Sequence, residues 1–214
     1  MNTDIKLKEL SGNFYYHDRK SRYEFLVKEF GGIISGDLLD VGCDNKYLRE
    51  ILNGKINYTG IDLNESADII MDLEKDSLLS LHKTFDTIIC TDVLEHIESI
   101  HRVFDEIIEI AQKYIVVSLP NAWFDFKKIP VMKNSGKFYG LPVSVPLDRH
   151  RWFFNFTEAM DFIESNAKGK VKEINFYPYF HKSNRLIKLI AKSILSANQY
   201  YNLFSPTLWA VLKK

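Results

Sequence analysis

The hydrophobic pattern of the first half of the chain alternates between short apolar runs and segments with helical spacing. The apolar runs, which predict five strands, are residues 37–43, 57–62, 67–71, 85–90 and 114–118. Residues 47–52 and 97–112 repeat apolar side chains at helical intervals, and residues 75–82 suffice for a brief helix. Strands that alternate with helices in this way form a parallel sheet with right-handed crossovers. The pattern therefore predicts an α/β fold.

The N-terminal part precedes this alternation. Residues 1–13 are polar, and we expect them to be mobile. Residues 14–30 have the apolar spacing of an amphipathic helix, which Gly31 and Gly32 would end. We expect this helix to belong to an N-terminal cap formed by residues 1–36.

A further helix and a strand–helix–strand sequence follow residue 155. The helix extends to about Asn166, with Thr157 as a candidate N-cap. The last three elements are residues 171–179, 182–200 and 207–213. Two strands with a helix between them predict an antiparallel addition at one edge of the sheet.

Residues 120–153 have no sustained period. This segment contains four prolines and two glycines and is rich in aromatic side chains. A long irregular segment in a compact domain is usually functional or disordered, and the aromatic content favours an ordered cover. We expect a single domain over residues 1–214, in which residues 120–153 are a loop insertion on the substrate side.

Composition and charge exclude several classes of protein. The chain has 214 residues, with 28 basic and 28 acidic side chains and no net charge, whereas a non-specific nucleic-acid binder needs a basic excess. We expect no leader sequence, and no apolar run approaches membrane-spanning length. Cys43 and Cys90 stand near the ends of predicted strands, which is typical of reduced thiols in a cytoplasmic protein. No spacing of metal ligands is evident, so we expect no metal site.

The first apolar run ends in a turn that is typical of nucleotide-binding folds. Residues 40–43 lead directly to the helix-like segment 47–52. A buried strand followed by a glycine-assisted turn into a helix begins a nucleotide-binding βαβ unit. Asp62 follows about 20 residues later at the end of the second run, where a carboxylate accepts hydrogen bonds from ribose hydroxyls.

Four segments together resemble the class I S-adenosylmethionine-dependent methyltransferases, in particular those of the small-molecule type. The segments are Asp40-Val41-Gly42-Cys43, Asp62, Met71-Asp72-Leu73 and Cys90-Thr91-Asp92-Val93-Leu94-Glu95-His96. The resemblance covers about residues 35–120. It implies a Rossmann-like, seven-stranded, mostly parallel sheet with helices on both faces and an antiparallel closing strand, and it implies S-adenosyl-L-methionine as the cofactor.

The same resemblance assigns residues to the cofactor. Asp62 would bind the ribose, and Asp72 would meet the adenine amino group. Asp92 would lie near the methionine end, would cap the following helix, or would do both. The expected cofactor-binding residues are Asp40, Gly42, Cys43, Asp44, Asp62, Leu63, Asp72, Leu73, Thr91 and Asp92.

Two residues depart from the glycine-rich turn of the family. Asp44 and Lys46 stand where glycine is usual, and a side chain at positive φ costs about 1 kcal/mol or more. Asp tolerates this conformation better than most residues, and Lys46 would point outward or reach the cofactor's carboxylate. The departures motivate an alternative, a degenerate methyltransferase-like binding or scaffold protein without catalysis. A nicotinamide-dependent dehydrogenase is a weaker alternative, because its pyrophosphate needs two or three glycines and this turn has only Gly42.

His96 and His150 are the candidate general bases. Methyl transfer mainly requires alignment and the exclusion of water, and a base is needed only for a hydroxyl or a protonated amine. His96 follows the fourth strand, where ligands bind in open α/β sheets; the alternative is a residue at a helix start that bonds to the backbone. Glu95 would bind a metal or a substrate hydroxyl or, more commonly, would be a solvated acid at the start of a helix.

A polar and aromatic cluster stands at the end of the irregular segment. Arg149, Arg151 and Trp152 are expected to bind the acceptor, and the arginines would clamp a carboxylate or phosphate. The alternative is a loop anchored by ion pairs and a packed Trp152.

Helices near either end of the chain offer further contacts. Tyr15, Tyr16 and Arg19 would close over the cofactor, although core packing explains the tyrosines equally well. The segment 182–201 combines basic and apolar side chains, so it would lie on a membrane surface or hold a lipid-linked substrate. An ordinary packed helix is the commoner explanation.

The sequence thus predicts a cytoplasmic enzyme that methylates a small-molecule or a glycan- or lipid-linked acceptor. Nucleic acid is not expected as the acceptor. DNA enzymes that methylate amino groups have an Asn/Asp-Pro-Pro-aromatic turn after the fourth strand, where this chain has residues 91–94, Thr-Asp-Val-Leu. We expect no transmembrane segment, with peripheral contact to a membrane left open.

Overall fold

The protein is built around one mixed sheet. The computed structural model describes residues 2–10, 14–54, 56–128, 137–139, 148–181 and 185–214. Within them the strands are β1 (Asp4–Leu7), β2 (Asp37–Val41), β3 (Asn57–Asp62), β4 (Ile69–Ile70), β5 (Phe85–Thr91), β6 (Ala111–Pro120), β7 (Glu173–Tyr179) and β8 (Thr207–Lys213). Their order is β1-β7-β8-β6-β5-β2-β3-β4, and each pair is parallel except the two that β8 forms. This is the Rossmann-like α/β arrangement that the sequence predicts.

Helices connect most of the strands. They are α1 (Arg19–Phe30), α2 (Tyr47–Leu52), α3 (Ile100–Ile110), α4 (Ala122–Phe126), α5 (Phe156–Ala167), α6 (Arg185–Ile194) and α7 (Ala197–Phe204). Short 3₁₀ helices occur at Gly31–Ile33, Leu78–Leu81, Leu94–His96 and Lys137–Tyr139. None of the helices in the described part of the chain is long and apolar enough to cross a membrane.

The hydrophobic core lies on both faces of the sheet. One apolar cluster packs α3 and α5 against Leu39 and Ile88, and the other packs α1 and α2 against Leu38 and Ile89. Successive side chains of a strand point to opposite faces. Strands buried on both faces read as continuous apolar runs, which is why the hydrophobic pattern identified them.

The sheet differs from the predicted one on the side that contains β7. The reversed strand, β8, lies between β6 and β7, which agrees with the predicted antiparallel addition, but β7 is not the last strand at that edge. The edge is an eighth strand, β1, so the expectation that residues 1–13 are mobile is wrong for Asp4–Leu7. This strand pairs with β7, and the Thr3 hydroxyl donates to the Val171 carbonyl at 2.7 Å. Because this strand has only four residues and three of its side chains are exposed, its sequence carries little strand signal.

Capping residues move several helix ends from the predicted positions. α1 begins at Arg19 and not near residue 14, because the Asp18 carboxylate accepts from the Ser21 amide at 2.7 Å. α5 is capped by Asn155 and not by Thr157, since the Asn155 side chain accepts from the Glu158 amide at 2.8 Å. The single helix predicted for residues 182–200 is two helices, because the Ser196 side chain caps α7.

Part of the irregular segment lies outside the described residues. Residues 129–136 and 140–147 are among these, as are residues 182–184 before α6. Within residues 120–153 the structure shows α4, a 3₁₀ turn and the stretch from 148 onward. The substrate-side insertion and the single-domain organisation therefore stay predictions.

Candidate active site

A cavity of about 850 Å³ opens at the carboxyl ends of the parallel strands. The chain passes from β2 to β3 on one side and later to β5 on the other side, so the strand order reverses next to β2. Ligands of open α/β sheets bind at such a reversal. Gly42, Asp62, Asp72 and Thr91 line the cavity at the ends of β2, β3, β4 and β5, and residues of α1 and residues 148–151 line it as well.

The turn after β2 has a left-handed backbone at two cavity residues. Gly42 has a φ of 76°, and a Cβ at this position would lie 2.2 Å from Val93 Cγ2. The amides of Gly42 and Cys43 both donate to the Ile61 carbonyl, at 2.9 and 3.1 Å. Asp44 has a φ of 47°, so an aspartate does adopt the left-handed conformation here.

Lys46, the second departure from the glycine-rich turn, is held away from the cavity. It has a φ of 56°, and its ammonium lies 3.2 Å from Asp68 Oδ1. The other oxygen of Asp68 pairs with Arg49 at 2.6 Å and accepts from the Gly60 amide at 2.8 Å. Lys46 is not among the described residues that line the cavity.

Asp62 is held rigidly at the end of β3. Its two carboxylate oxygens accept from the backbone amides of Asp44 and Asn64, at 2.9 and 3.0 Å. Ser66 fixes the same turn, since its hydroxyl donates to the Asp44 carbonyl at 2.7 Å. A carboxylate oxygen has more than one lone pair, so Asp62 keeps the capacity to accept from two ligand hydroxyls.

The wall beyond Asp62 combines apolar side chains with a second carboxylate. The apolar residues are Ile61, Leu63, Met71, Leu73 and Ile97. Asp72 accepts from Lys75 Nζ at 2.7 Å and from the Glu74 amide at 3.0 Å, and Lys75 holds the pKa of the Asp72 carboxyl below its ordinary value. An apolar wall beside an ionised carboxylate suits a purine that carries an amino group.

Two arginines of α1 pair with acids of the cavity. Arg19 lies 2.9 Å from Asp44, and Arg22 lies 2.7 Å from Asp92. The sequence analysis identified Arg19 but missed Arg22 and Tyr23, which also line the cavity. Residues 19, 22 and 23 share one face of a helix, and that spacing is the signal that would have found them.

Tyr16 belongs to the core and not to the cavity wall. Its ring stacks on Tyr179 at 4.1 Å, and its hydroxyl accepts from Trp209 Nε1 at 3.2 Å. Neither Tyr15 nor Tyr16 is among the described residues that line the cavity. Core packing is therefore the role that the structure supports for Tyr16.

Glu95, His96 and His150 form a compact cluster at the side of the cavity that residues 148–151 line. Glu95 Oε1 lies 3.7 Å from His96 Nε2 and 3.9 Å from His150 Nε2, and the two imidazole rings meet edge to face at 4.6 Å. Glu95 is only 1% exposed. The expectation of a solvated acid is wrong, because the turn after β5 directs this side chain inward.

Burial sets the protonation of this cluster. It raises the pKa of the Glu95 carboxyl well above its ordinary value, and the nearby Asp92 carboxylate adds to the effect. Burial, together with the neighbouring His96, lowers the pKa of His150 to about 4. Burial also lowers the pKa of His96. Both imidazoles are therefore neutral near pH 7, and each offers a nitrogen lone pair.

Hydrogen bonds hold the segment that carries His150 against the turn after β5. The Glu95 carbonyl accepts from the amides of Arg151 and Trp152, at 2.7 and 3.1 Å. Trp152 Nε1 donates to the Ile97 carbonyl at 2.7 Å. These bonds bring together two histidines that are distant in sequence.

The residues expected to bind the acceptor divide into two groups. Arg149 and Arg151 line the cavity, whereas Trp152 is not among the described residues that do so. Arg151 pairs with Glu98 at 3.2 Å and with Glu74 at 3.7 Å. Arg151 and Trp152 therefore anchor the segment, and the exposed Arg149 is the better candidate for contact with an acceptor.

Asp92 faces the cavity without capping a helix. It has a φ of 50°, pairs with Arg22 and accepts a hydrogen bond from the Ser118 hydroxyl. The following α-helix begins at Ile100, so the proposed capping role is wrong. Thr91, its neighbour, is buried and lines the cavity.

Asp40 and Cys43 lie below the cavity surface. Asp40 is fully buried and accepts from the Tyr58 hydroxyl at 2.7 Å. Cys43 is a buried free thiol, as is Cys90, which agrees with the sequence analysis. Neither Asp40 nor Cys43 is among the described residues that line the cavity, and both shape the turn from beneath.

Asp40 is expected to make stability depend on pH. Burial raises the pKa of its carboxyl to about 7, so the folded chain holds this proton more tightly than the unfolded chain, whose aspartates titrate near pH 4. The stabilisation is present at low pH and is lost as the pH rises from about 4 through 7. The difference between the pKa values corresponds to about 4 kcal/mol. Denaturant unfolding of the wild type and of Asp40→Asn at pH 4–8 measures this loss as a change with pH in the difference between their free energies of unfolding. A difference that stays constant over this range would contradict the raised pKa of Asp40.

A model of a known protein family matches most of this chain. The family is described as a methyltransferase domain, and the match covers residues 15–193. A search of curated proteins finds no match.

Solved structures show the same fold at low sequence identity. An S-adenosylmethionine-dependent methyltransferase from Archaeoglobus fulgidus is 19% identical, with a TM-score of 0.57 over 91% of this chain and 92% of that one. The magnesium protoporphyrin IX methyltransferase from Synechocystis PCC 6803, with bound S-adenosylhomocysteine, is 16% identical, with a TM-score of 0.51 over 89% and 80%. The small RNA methyltransferase HEN1 is 15% identical, with a TM-score of 0.60 over 90% of this chain and 25% of that one.

Proposed function

The chain belongs to the methyltransferase domain family, and we propose that it methylates a small molecule or an acceptor linked to a glycan or lipid. It is an S-adenosylmethionine-dependent methyltransferase and not a nicotinamide-dependent dehydrogenase. The scaffold without catalysis is the alternative that the transfer experiment below tests. The observation that supports the acceptor class is the shape of the site. The acceptor side ends in the buried Glu95 and His150, and the segment that carries His150 is hydrogen-bonded to the turn of Glu95.

The residues of the cavity fit the cofactor. Asp62 would accept hydrogen bonds from the ribose hydroxyls, and Asp72 with its apolar neighbours would hold the adenine. Asp44 and Asp92, each paired with an arginine of α1, would hold the methionine end. When bound, S-adenosylmethionine supplies a methyl group activated by a positively charged sulfur.

The chain's own residues then orient the acceptor and exclude water. Alignment and exclusion of water are the main requirements of methyl transfer. The arginine pairs close α1 over the strand ends, and the bonds to the Glu95 carbonyl close the opposite side. The neutral imidazoles of His96 and His150 would accept the proton that a hydroxyl or ammonium acceptor must lose.

A surface at the same edge of the sheet as the cavity favours an acceptor with an apolar part. α6 exposes Leu189, Ile190 and Ile194 together with Lys192. α6 and α7 connect β7 to β8 at the edge of the sheet where the cavity opens, and the Asn121 amide ties α7 to α4 by donating to the Asn202 carbonyl at 2.8 Å. Basic amphipathic helices bind lipid surfaces, so a lipid-linked acceptor would reach the cavity from this side.

The charge distribution argues against a nucleic-acid acceptor. The chain has no net charge, and three arginines that line the cavity, Arg19, Arg22 and Arg151, are each paired with a carboxylate. Phosphate backbones are bound through unneutralised basic side chains. The chain therefore resembles an RNA methyltransferase in its fold, and we propose that its acceptor is not RNA.

Transfer of a labelled methyl group to a fractionated cell extract tests this proposal. The purified protein and S-[methyl-³H]adenosylmethionine are incubated with small-molecule, lipid-extractable, RNA and protein fractions. We expect label in the small-molecule or lipid fraction and none with an Asp62→Ala variant. Label that enters only RNA or protein would overturn the acceptor class.

A further inference from the structure

We propose that Glu95, His96 and His150 bind one divalent transition-metal ion, with Mn²⁺ and Zn²⁺ preferred to Mg²⁺. One ligand atom from each of the three side chains lies within 4.8 Å of the other two. A carboxylate with two imidazoles is a donor set that catalytic zinc and non-haem iron sites use. Mg²⁺ prefers oxygen ligands, so the two nitrogen donors favour a first-row transition metal.

The spacing of the donors suits an ion of this size. Bonds of about 2.0–2.2 Å around a tetrahedral ion place neighbouring donors about 3.4 Å apart. The Glu95 oxygen is 3.7 Å from one histidine nitrogen and 3.9 Å from the other, and all three ligand atoms lie within 4.8 Å of one another, so side-chain movements of about an ångström would complete the site. Both distances exceed those of hydrogen bonds. The three groups are therefore close without bonding to one another.

Unpaired polar atoms point to a missing cation. Neither carboxylate oxygen of Glu95 is hydrogen-bonded to another described residue. The guanidinium of Arg22 lies near Glu95, but it pairs with Asp92 at 2.7 Å. Buried polar groups without partners are costly and rare. A bound cation would compensate the Glu95 carboxylate.

The surroundings of the cluster resemble those of a catalytic metal site. Phe138 stacks on the His150 ring at 5.3 Å, and Tyr139 meets it edge to face at 5.1 Å. Apolar walls of this kind restrict water and strengthen electrostatic interactions. His96 and His150 also line the cavity that contains Asp62, so the remaining coordination positions of the ion would face the acceptor.

The role of the ion rests on the proposed function. An acceptor hydroxyl bound to the ion has a lowered pKa and releases its proton to solvent. The acceptor oxygen then forms a bond to the methyl carbon while the carbon–sulfur bond breaks, and that electron pair remains on sulfur. When the ion is bound, the imidazoles of His96 and His150 are ligands, and this role replaces the proton acceptance proposed above for the site without a metal. The class of acceptor is thus narrowed to hydroxyl compounds.

Binding of Mn²⁺ to metal-stripped protein tests the site without an acceptor. The full chain is purified without a histidine tag, treated with a chelator and titrated with MnCl₂. Loss of the electron paramagnetic resonance signal of free aqueous Mn²⁺ counts the bound ions. We expect one ion per chain, displaced by Zn²⁺ and bound at least tenfold more tightly than Mg²⁺. Glu95→Gln and His150→Ala are expected to weaken binding at least tenfold.

Two exposed residues of α3 provide matched controls. Glu109→Gln and His101→Gln change the same residue types outside the cluster and are expected to bind Mn²⁺ like the wild type. Calorimetric titration with S-adenosylhomocysteine shows whether each variant keeps a folded cofactor site. Protein that binds S-adenosylhomocysteine but neither Mn²⁺ nor Zn²⁺ at 1 mM would overturn the metal site and leave the methyltransferase intact, as would full Mn²⁺ affinity in Glu95→Gln.

Discussion

An Asp62→Ala variant is expected to bind S-adenosylhomocysteine at least 100-fold more weakly than the wild type. The Asp62 carboxylate accepts from two backbone amides and keeps lone pairs for two ligand hydroxyls. Hydrogen bonds to a charged group contribute about 1.5–3 kcal/mol each, and two of them correspond to a factor of about 100 or more. Isothermal titration calorimetry measures the two dissociation constants directly.

Two further variants make this test specific: one replaces a remote aspartate, and the other replaces Asp62 conservatively. Asp105 lies on the exposed face of α3, paired with Lys170 at 2.7 Å, and Asp105→Ala is expected to leave the affinity unchanged. Asp62→Asn keeps one acceptor oxygen and is expected to fall between the wild type and Asp62→Ala. If Asp62→Ala binds within threefold of the wild type, Asp62 does not hold the ribose.

Replacing Gly42 with Ala is expected to lower the free energy of unfolding by about 2–4 kcal/mol. The positive φ of 76° costs an alanine about 1 kcal/mol. The added Cβ would lie 2.2 Å from Val93 Cγ2, and overpacking of this kind costs about 1–3 kcal/mol. Val93 is β-branched and has few alternative rotamers, so it has little room to move aside. Denaturant unfolding measures the loss.

Gly54 offers a control, because it also has a positive φ but a Cβ added to it would not overlap any described atom. It has a φ of 70°, and no described atom lies within 4 Å of the position that its Cβ would take. Gly54→Ala is therefore expected to cost only about 1 kcal/mol. Equal losses in the two variants would show that contact with Val93 contributes nothing and that the turn adjusts.

Local sequence signals were sufficient for most of the sheet and for the cofactor side of the cavity. The runs that form β2 and β5 are buried along most of their length, so each is largely apolar and ends in turn residues. Gly42 follows β2 and Asp62 ends the less buried β3, and the topology of a parallel sheet brings both to one edge. That edge is the wall at which the structure places both residues.

The acceptor side could not be predicted to the same extent, because distant segments determine it. Glu95 is buried by a stretch that begins more than 50 residues later, around His150, and its own neighbours resemble an ordinary helix start. Arg22 reaches Asp92 from a helix that precedes the nucleotide-binding unit. β1 depends on a partner strand at the other end of the sequence. The local spacing of hydrophobic residues does not indicate contacts between segments that are so far apart in the sequence.

The position of β8 has a consequence for how the chain acquires its structure. This strand leaves the ribosome after the seven others, yet it pairs with β6 on one side and β7 on the other. Until residues 207–213 emerge, β7 and β1 have no connection to the rest of the sheet, and β6 exposes an unpaired edge. Pairings of such long sequence separation slow folding and leave strand edges open to aggregation. Completion of the sheet is therefore a late event in the synthesis of this domain, and the nascent chain passes through a stage at which protection by a chaperone would matter most.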